Sequence, residues 1–91
     1  MTTQSMHKTW TIEVVIDEDS SATEAKATLR IGDRDLAGWG RARRNPHDPE
    51  RPRVGEELAC ARAISELSHK LLDAAAEEIE EFEGRRVELQ S

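Results

Sequence analysis

The sequence is poor in the residues that build disulfide-bonded folds, cysteine metal sites and membrane spans. A single cysteine among 91 residues excludes an intramolecular disulfide and a metal site with several cysteine ligands. No stretch approaches the roughly 20 consecutive apolar residues of a membrane span. Residues 1–9 lack the apolar segment of a secretory signal. We therefore expect a cytoplasmic protein that does not enter a membrane.

Charged residues are abundant, yet the apolar residues are regularly placed. Charged residues make up 35% of the chain, with 13 Lys and Arg against 19 Asp and Glu, which gives a formal net charge of −6. The apolar 36% follows two periodicities, which indicates an ordered domain rather than a disordered chain. The length allows one small domain with a thin core. We expect a flexible leader over residues 1–8 and a single domain over residues 9–90.

The first part of the domain alternates apolar and polar residues, which predicts half-buried β-strands. The first strand begins at Thr9, and its inward residues are Trp10, Ile12, Val14 and Ile16. An acidic turn over residues 17–21 interrupts the pattern. The second strand runs near Thr23–Ile31, and its inward residues are Ala25, Ala27, Leu29 and Ile31.

A third strand, Leu36–Arg43, follows a hairpin loop over residues 32–35, and its composition leaves open which face is buried. A symmetric loop predicts that Lys26 lies opposite Arg41, an unfavourable pair of like charges. In that register Trp39 lies on the outer face beside Thr28, and the inner face carries Gly38, Gly40 and Ala42. Such small inner residues would let another element pack closely on the sheet. A β-bulge would reverse the two faces.

The second part of the domain changes to a helical period. Prolines at positions 46, 49 and 52 predict a stiff, extended connector over residues 45–52. A 3.6-residue period then predicts a helix from Gly55 to Glu83, ended by Gly84. The apolar residues of its one broad stripe are Leu58, Ala61, Ile64, Leu67, Leu71, Leu72, Ala75, Ile79 and Phe82. Val87 and Leu89 in the tail indicate a short extended segment.

The predicted helix is longer than the sheet that it covers. About 28 residues of helix span about 42 Å, whereas strands of eight to ten residues span about 26–34 Å. The overhang leaves Ile79 and Phe82 in need of a partner, either the tail or a second chain. We therefore expect a homodimer in which these two residues contribute to self-association.

Three segments carry a resemblance to a known family. The segments are Trp10–Asp17, Gly38–Pro46 and Val54–Ala59. They resemble a family of small bacterial proteins described as dsRBD-fold-containing, a domain of unknown function, and the likeness covers about residues 8–90. It implies an α+β, dsRBD-like fold in which a three-stranded antiparallel sheet packs against one long C-terminal helix, in the order β-β-β-α. It implies no activity.

RNA binding does not follow from that fold name. RNA-binding members of the fold use an N-terminal helix, a loop between the first two strands and a lysine cluster at the start of the last helix. Here no N-terminal helix is predicted, and the loop Asp17–Asp19 is anionic. Glu56 and Glu57 stand where the lysines would be needed.

A local basic run is nevertheless a candidate site for an anion or a nucleic acid. It consists of Arg41, Arg43, Arg44, Arg51 and Arg53. In the predicted register Lys26 and Arg30 extend it across the outer face of the sheet, and Trp39 offers a stacking surface for a base. The alternative is a solvated arginine-rich strand that balances the acidic last helix.

Other candidate sites are weaker. The acidic helix end, with six acidic residues between Asp73 and Glu83, is a solvated face or a site for a divalent cation or a basic partner. His7, His47 and His69 have no metal-ligand spacing. Cys60 lies among alanines, as a small buried hydrophobic residue does.

The sequence thus predicts no catalytic site, no metal site and no cofactor. We expect a non-enzymatic binding or interaction module, which either self-associates or binds another protein. The alternative is nucleic-acid or anion binding through Lys26, Arg30, Trp39, Arg41, Arg43 and Arg44.

Overall fold

The computed structural model describes residues 5–44 and 52–90, and within the helix it describes the side chains of residues 53–84. In this part of the chain the elements are, in order, β1 (Ile12–Glu18), β2 (Ala22–Ile31), β3 (Arg34–Arg43) and α1 (Pro52–Gln90). The strands form an antiparallel sheet in the order β1-β2-β3, and α1 packs across one face of it. The predicted α+β architecture of three antiparallel strands and one long C-terminal helix is confirmed. The first four residues of the predicted leader and residues 45–51 of the predicted connector lie outside the described residues.

Asp19 organises the turn between β1 and β2. Its Oδ1 accepts hydrogen bonds from the Ser21 backbone N at 2.7 Å, the Ser21 hydroxyl at 2.7 Å and the Ala22 backbone N at 2.9 Å. These hydrogen bonds stabilise the ionised carboxylate and so lower the pKa of Asp19 below its usual value. The bond from the Ser21 hydroxyl has the largest effect. Arg44 N donates to Ser21 O at 2.9 Å, which ties the turn to the end of β3.

The β2–β3 hairpin is tighter than the sequence analysis predicts. Its loop has two residues, Gly32 and Asp33, and Gly32 has a φ of 62°, which a residue with a side chain rarely adopts. Ile31 therefore pairs with Arg34, and the predicted register is wrong by two residues. Because two residues are one full period of a strand, the shift leaves the assignment of the buried face unchanged.

The helix packs closely on the sheet because β3 presents glycines along the contact. Gly38 lies against Ala63 and Leu67, and Gly40 lies against Ala59 and Ala63. A Cβ on either glycine would come within 3.0 Å of the helix backbone. The prediction that small inward residues admit a closely packed element is confirmed.

The core between sheet and helix consists mainly of alanine. Its buried hydrophobic residues are Ala22, Ala25, Ala27, Leu29, Ala42, Ala59, Ala63 and Leu67. The partly buried hydrophobic residues packed against it are Val14, Ile31, Leu36, Cys60 and Leu71. Cys60 is therefore a small residue at the margin of the core, half-buried rather than fully buried.

The helix extends beyond both of its predicted ends. It begins at Pro52, which the sequence analysis placed in an extended connector, because the fixed φ of proline suits a first helical position. Gly84 does not end the helix, since its φ is not positive, and Val87 and Leu89 lie in α1 rather than in an extended segment. A glycine inside a helix costs only about 0.5–1 kcal/mol, which the good helix formers on both sides of Gly84 offset.

Candidate functional site

The large apolar side chains of this protein lie mostly on its surface. Among the described residues the exposed ones are Met6, Trp10, Ile12, Val15, Ile16, Trp39, Val54, Leu58, Ile64, Leu72, Ile79 and Phe82. The largest fully buried side chains are leucines, Leu29 and Leu67. Isolated exposed apolar residues are ordinary, whereas contiguous ones mark interaction surfaces. Whether these exposed residues form an interaction surface therefore depends on whether they are contiguous.

Two stripes of mainly apolar residues run along opposite sides of α1. The first contains Ala59, Ala63 and Leu67, four residues apart, and it is buried against the sheet. The second, which we name the outer stripe, recurs at alternating intervals of four and three residues and is apolar except for two serines. The positions of the outer stripe are Val54, Leu58, Ala61, Ser65, Ser68, Leu72, Ala75, Ile79 and Phe82. This spacing is the heptad pattern of helices that pack along another helix.

The outer stripe is turned away from the sheet. Leu72 follows the buried Ala63 by two and a half helical turns, which places it on the opposite side of α1. Leu72 is 68% exposed and Phe82 is 62% exposed. The prediction of one broad stripe that joins Leu58, Ile64 and Leu72 to the buried Leu67 is wrong, because the first three are exposed. The glycines of β3 admit the alanines of α1 instead.

The helix also runs past the sheet, as its predicted length requires. Glu77 Oε2 lies 3.7 Å from Arg34 Nη2, beside the hairpin where the sheet ends. Ile79 and Phe82 follow this point, and both are exposed. The segment 73–83 of α1 is also acidic, and its carboxylates belong to Asp73, Glu77, Glu78, Glu80, Glu81 and Glu83.

A second apolar surface is the inner face of β1. Ile12 pairs with Leu29 and Ile16 with Ala25, so the predicted face of this strand is correct. Ile12 and Ile16 are nevertheless exposed, because α1 lies over β2 and β3 and scarcely contacts β1. Trp10, predicted as an inward residue of the first strand, precedes β1 and is 57% exposed.

Trp39 lies on the outer face of the sheet and is 53% exposed. Lys26 Nζ lies 5.4 Å and Lys70 Nζ 4.7 Å from its ring centroid, within the range of cation–π contacts. Lys26 pairs directly opposite Trp39, so the predicted pairing of Lys26 with Arg41 is wrong. Thr28, which the sequence analysis placed beside Trp39, pairs with Ala37.

Two of the predicted basic residues are engaged by groups on or next to β2. Arg41 lies opposite Glu24, with Arg41 Nε 3.6 Å from Glu24 Oε1. Arg30 Nε donates a hydrogen bond to Gly32 O at 3.2 Å. Both arginines therefore have an acceptor within the sheet or its hairpin loop. Neither belongs to a surface patch made only of cations.

Arg43 and Arg44 of the predicted basic run lie near the acidic turn. Arg43 ends β3 and Arg44 follows it, and Arg44 N is bonded to the turn that contains Asp19. Arg53 lies in the first turn of α1, whereas Arg51 lies outside the described residues. Positive and negative groups are interleaved at this end of the molecule, so its charge is mixed.

Sequence reasoning missed two side chains of α1 that reach the edge strand β3. Lys70 Nζ donates to Ala37 O at 2.5 Å and lies 3.3 Å from Glu66 Oε1. Arg62 Nη1 donates to Arg41 O at 2.6 Å. The sequence shows Glu66 and Lys70 as a pair on the helix surface. It gives no signal for the contact with β3, because that contact depends on how α1 packs on the sheet.

The described residues form neither a metal site nor a membrane-spanning helix. They contain no group of three or more His, Cys, Asp or Glu side chains placed to hold a metal ion. No helix in the same part of the chain is long and apolar enough to cross a membrane.

Several known proteins similar to this chain come from mycobacteria. A family model described as Rv2632c-like matches residues 8–88. The uncharacterized protein MT1780 of Mycobacterium tuberculosis (strain CDC 1551 / Oshkosh) is 44% identical over 71 residues, which cover 78% of this chain and 76% of that protein. The uncharacterized protein Rv2632c of Mycobacterium tuberculosis (strain ATCC 25618 / H37Rv) is 41% identical over 80 residues, 86% of each chain. The crystal structure of Rv2632c has a TM-score of 0.80 at 38% identity, covering 86% of this chain and 93% of that one.

Proposed function

The chain belongs to the Rv2632c-like family, and we propose that it is a non-enzymatic interaction module that self-associates through the outer stripe of α1. The observation that carries this proposal is the exposed heptad spacing on the side of α1 turned away from the sheet. A helix that is apolar on two sides needs a partner on each. The sheet covers one side, and a second copy of α1 would cover the other.

The energetics favour this use of the stripe. Full burial of a leucine or phenylalanine side chain stabilises by about 1.5–3 kcal/mol. In a symmetric dimer each stripe residue is buried in both copies, so Leu58, Leu72, Ile79 and Phe82 each contribute twice. These residues are exposed in the single chain, and self-association removes them from water.

Light scattering on a Leu72→Lys variant tests the proposal. The unmodified chain is expected to scatter at micromolar concentration as a species of twice the 10.2 kDa chain mass. Leu72→Lys places a charge in the middle of the stripe and is expected to weaken association by at least about 10-fold, giving the monomer. The fold is expected to survive, because Leu72 does not belong to the core.

The matched control is Val15→Lys, which makes the same change from an apolar to a cationic side chain. Val15 is 49% exposed on the outer face of β1, away from α1. This variant is expected to keep the dimer mass. A monomeric unmodified chain at these concentrations would refute self-association, and equal loss of the dimer in both variants would refute the assignment to the outer stripe.

A second candidate function, nucleic-acid binding, is favoured by the exposed ring of Trp39 beside two ammonium groups. An aromatic ring near cations can stack on a base while the cations meet phosphate. Against this, Glu24 engages Arg41 on the same face, and the β1–β2 turn is acidic. A relationship to the double-stranded-RNA-binding fold stays a prediction.

Mobility shifts with single-stranded RNA and DNA at low salt test this second candidate. If Trp39 stacks on a base, Trp39→Ala lowers the affinity by roughly 5- to 150-fold, since such stacking is worth about 1–3 kcal/mol. Trp10→Ala, which removes another exposed tryptophan, leaves the affinity unchanged. The absence of any shift at tens of micromolar protein would remove the candidate.

A further inference from the structure

We infer that the two copies of α1 lie antiparallel along their outer stripes, with the two-fold axis near residue 70, so that the end of each helix packs against the beginning of the other. This inference rests on the proposed self-association and adds its geometry. It gives the overhanging end of α1, which has no sheet beneath it, a defined partner.

Charge selects the antiparallel direction. Between Leu71 and Gly84 the helix carries six carboxylates and no lysine or arginine. A parallel pair would place these two acidic ends side by side, and adjacent like charges are destabilising. In an antiparallel pair the two acidic segments lie on opposite sides of the two-fold axis, and the two copies of position 79 within them are about 27 Å apart.

Side-chain size selects the register. In antiparallel packing, a stripe position that precedes the two-fold axis faces the partner-helix position that lies equally far beyond the axis. With the axis near residue 70, Leu72 faces Ser68 of the other copy. In the same way Ile79 faces Ala61. Each of these large residues thus meets a small one, and the larger Leu58 and Phe82 meet each other at both ends of the pair.

The same register brings opposite charges together beside the stripe. Glu57 comes level with the Arg85 position of the partner helix, which α1 includes. Such flanking pairs set the orientation of paired helices.

The two sheets lie on the outside of this arrangement. The outer stripe and the sheet occupy opposite sides of α1, so the paired helices form the middle layer between two sheets. The inner face of β1 and the ring of Trp39 stay accessible in the pair.

Disulfide cross-linking in a chain without its native cysteine tests the geometry. In a Cys60→Ala background, Ala61→Cys and Ile79→Cys are introduced separately and together, and each chain is oxidised and run on a denaturing gel without reductant. Both positions are exposed in the single chain. Eighteen residues of helix, about 27 Å, separate them, so they cannot bond within one helix.

The antiparallel pair predicts a covalent dimer only when both cysteines are present. Each single-cysteine chain then serves as the matched control, because its two thiols lie about 27 Å apart across the pair. Cross-linking of either single-cysteine chain would instead show parallel helices and overturn the inference. A chain that has the dimer mass by light scattering, yet does not cross-link with both cysteines, would also overturn this geometry while the proposed self-association stands. A monomeric mass would refute the proposed function itself.

Discussion

At the scale of single residues, two glycines decide which side of α1 meets the sheet. Gly38 and Gly40 lie on the inner face of β3, where any side chain would collide with the helix backbone. Because these two glycines have no side chains, α1 packs closely on β3 through the small side chains of Ala59 and Ala63. Leu58 and Leu72 lie on the side of α1 turned away from these glycines, and both are exposed. The exposure of Leu72 thus follows from the absence of a Cβ on the opposite element.

Gly40→Ala is expected to destabilise the protein strongly. The new Cβ would lie within 3.0 Å of the backbone at Ala59 and Ala63, so the helix must shift rather than a flexible side chain. Overpacking of this kind costs about 1–3 kcal/mol. Urea unfolding followed by circular dichroism at one chain concentration measures the change.

Gly84→Ala is the matched control, because it makes the same chemical change in open space. Apart from its chain neighbours and the adjoining backbone of α1, no described atom lies within 4 Å of a Cβ at Gly84, and alanine favours the helix by about 0.5–1 kcal/mol. This variant is expected to be as stable as the unmodified chain or slightly more stable. Equal behaviour of the two variants would show that the close approach at Gly40 does not limit packing.

At the scale of elements, period and alternation are sufficient to predict the strands, the helix and the buried faces of β1 and β2, whereas the buried face of β3 followed only from a symmetric hairpin loop. Strand register was not predictable to the residue, because a two-residue and a four-residue hairpin loop leave the same side chains inward. The difference matters on the outer face, where it replaces a Lys26–Arg41 pair by the Lys26–Trp39 contact.

The helix shows a different limit of sequence reasoning. The 3.6-residue period identifies α1, and it also shows apolar residues around much more than one face. Hydrophobicity then favours the leucine-containing side as the core side, whereas the structure buries the alanine side. Only the pairing of this helix with a glycine-bearing strand distinguishes the two, and that is a contact between distant parts of the chain. The candidate site was visible in the sequence as Ile79 and Phe82, but Leu58, Ala61, Leu72 and Ala75 of the outer stripe were placed in one broad stripe with the buried Leu67.

At the scale of the whole molecule, the net charge of −6 conceals an uneven distribution. Residues 73–83 of α1 carry six carboxylates and no lysine or arginine, while the opposite end of the molecule mixes Arg43 and Arg44 with the acidic β1–β2 turn. The molecule is also elongated, with a longest dimension of 64 Å. An elongated shape with the charge concentrated at one end favours an antiparallel partner, which keeps the two acidic ends apart.

The thin core ties the stability of the protein to its association. Six of the eight buried hydrophobic residues are alanines, and burial of an alanine removes little apolar area from water. In a self-associating chain the remaining stability comes from the outer stripe, which is buried only between copies. The unfolding temperature is therefore expected to rise with chain concentration, since binding of a second copy stabilises the folded state by mass action.

Thermal unfolding at chain concentrations from about 1 to about 100 μM measures this coupling. A 100-fold rise in partner concentration is worth about 2.7 kcal/mol, or several degrees in Tm for a pair of this size. In the Leu72→Lys variant, Tm is expected to be lower and independent of concentration, because unfolding then starts from the monomer. The Val15→Lys control keeps the concentration dependence. A constant Tm for the unmodified chain over this range would show that the alanine core suffices alone and that association contributes nothing to its stability.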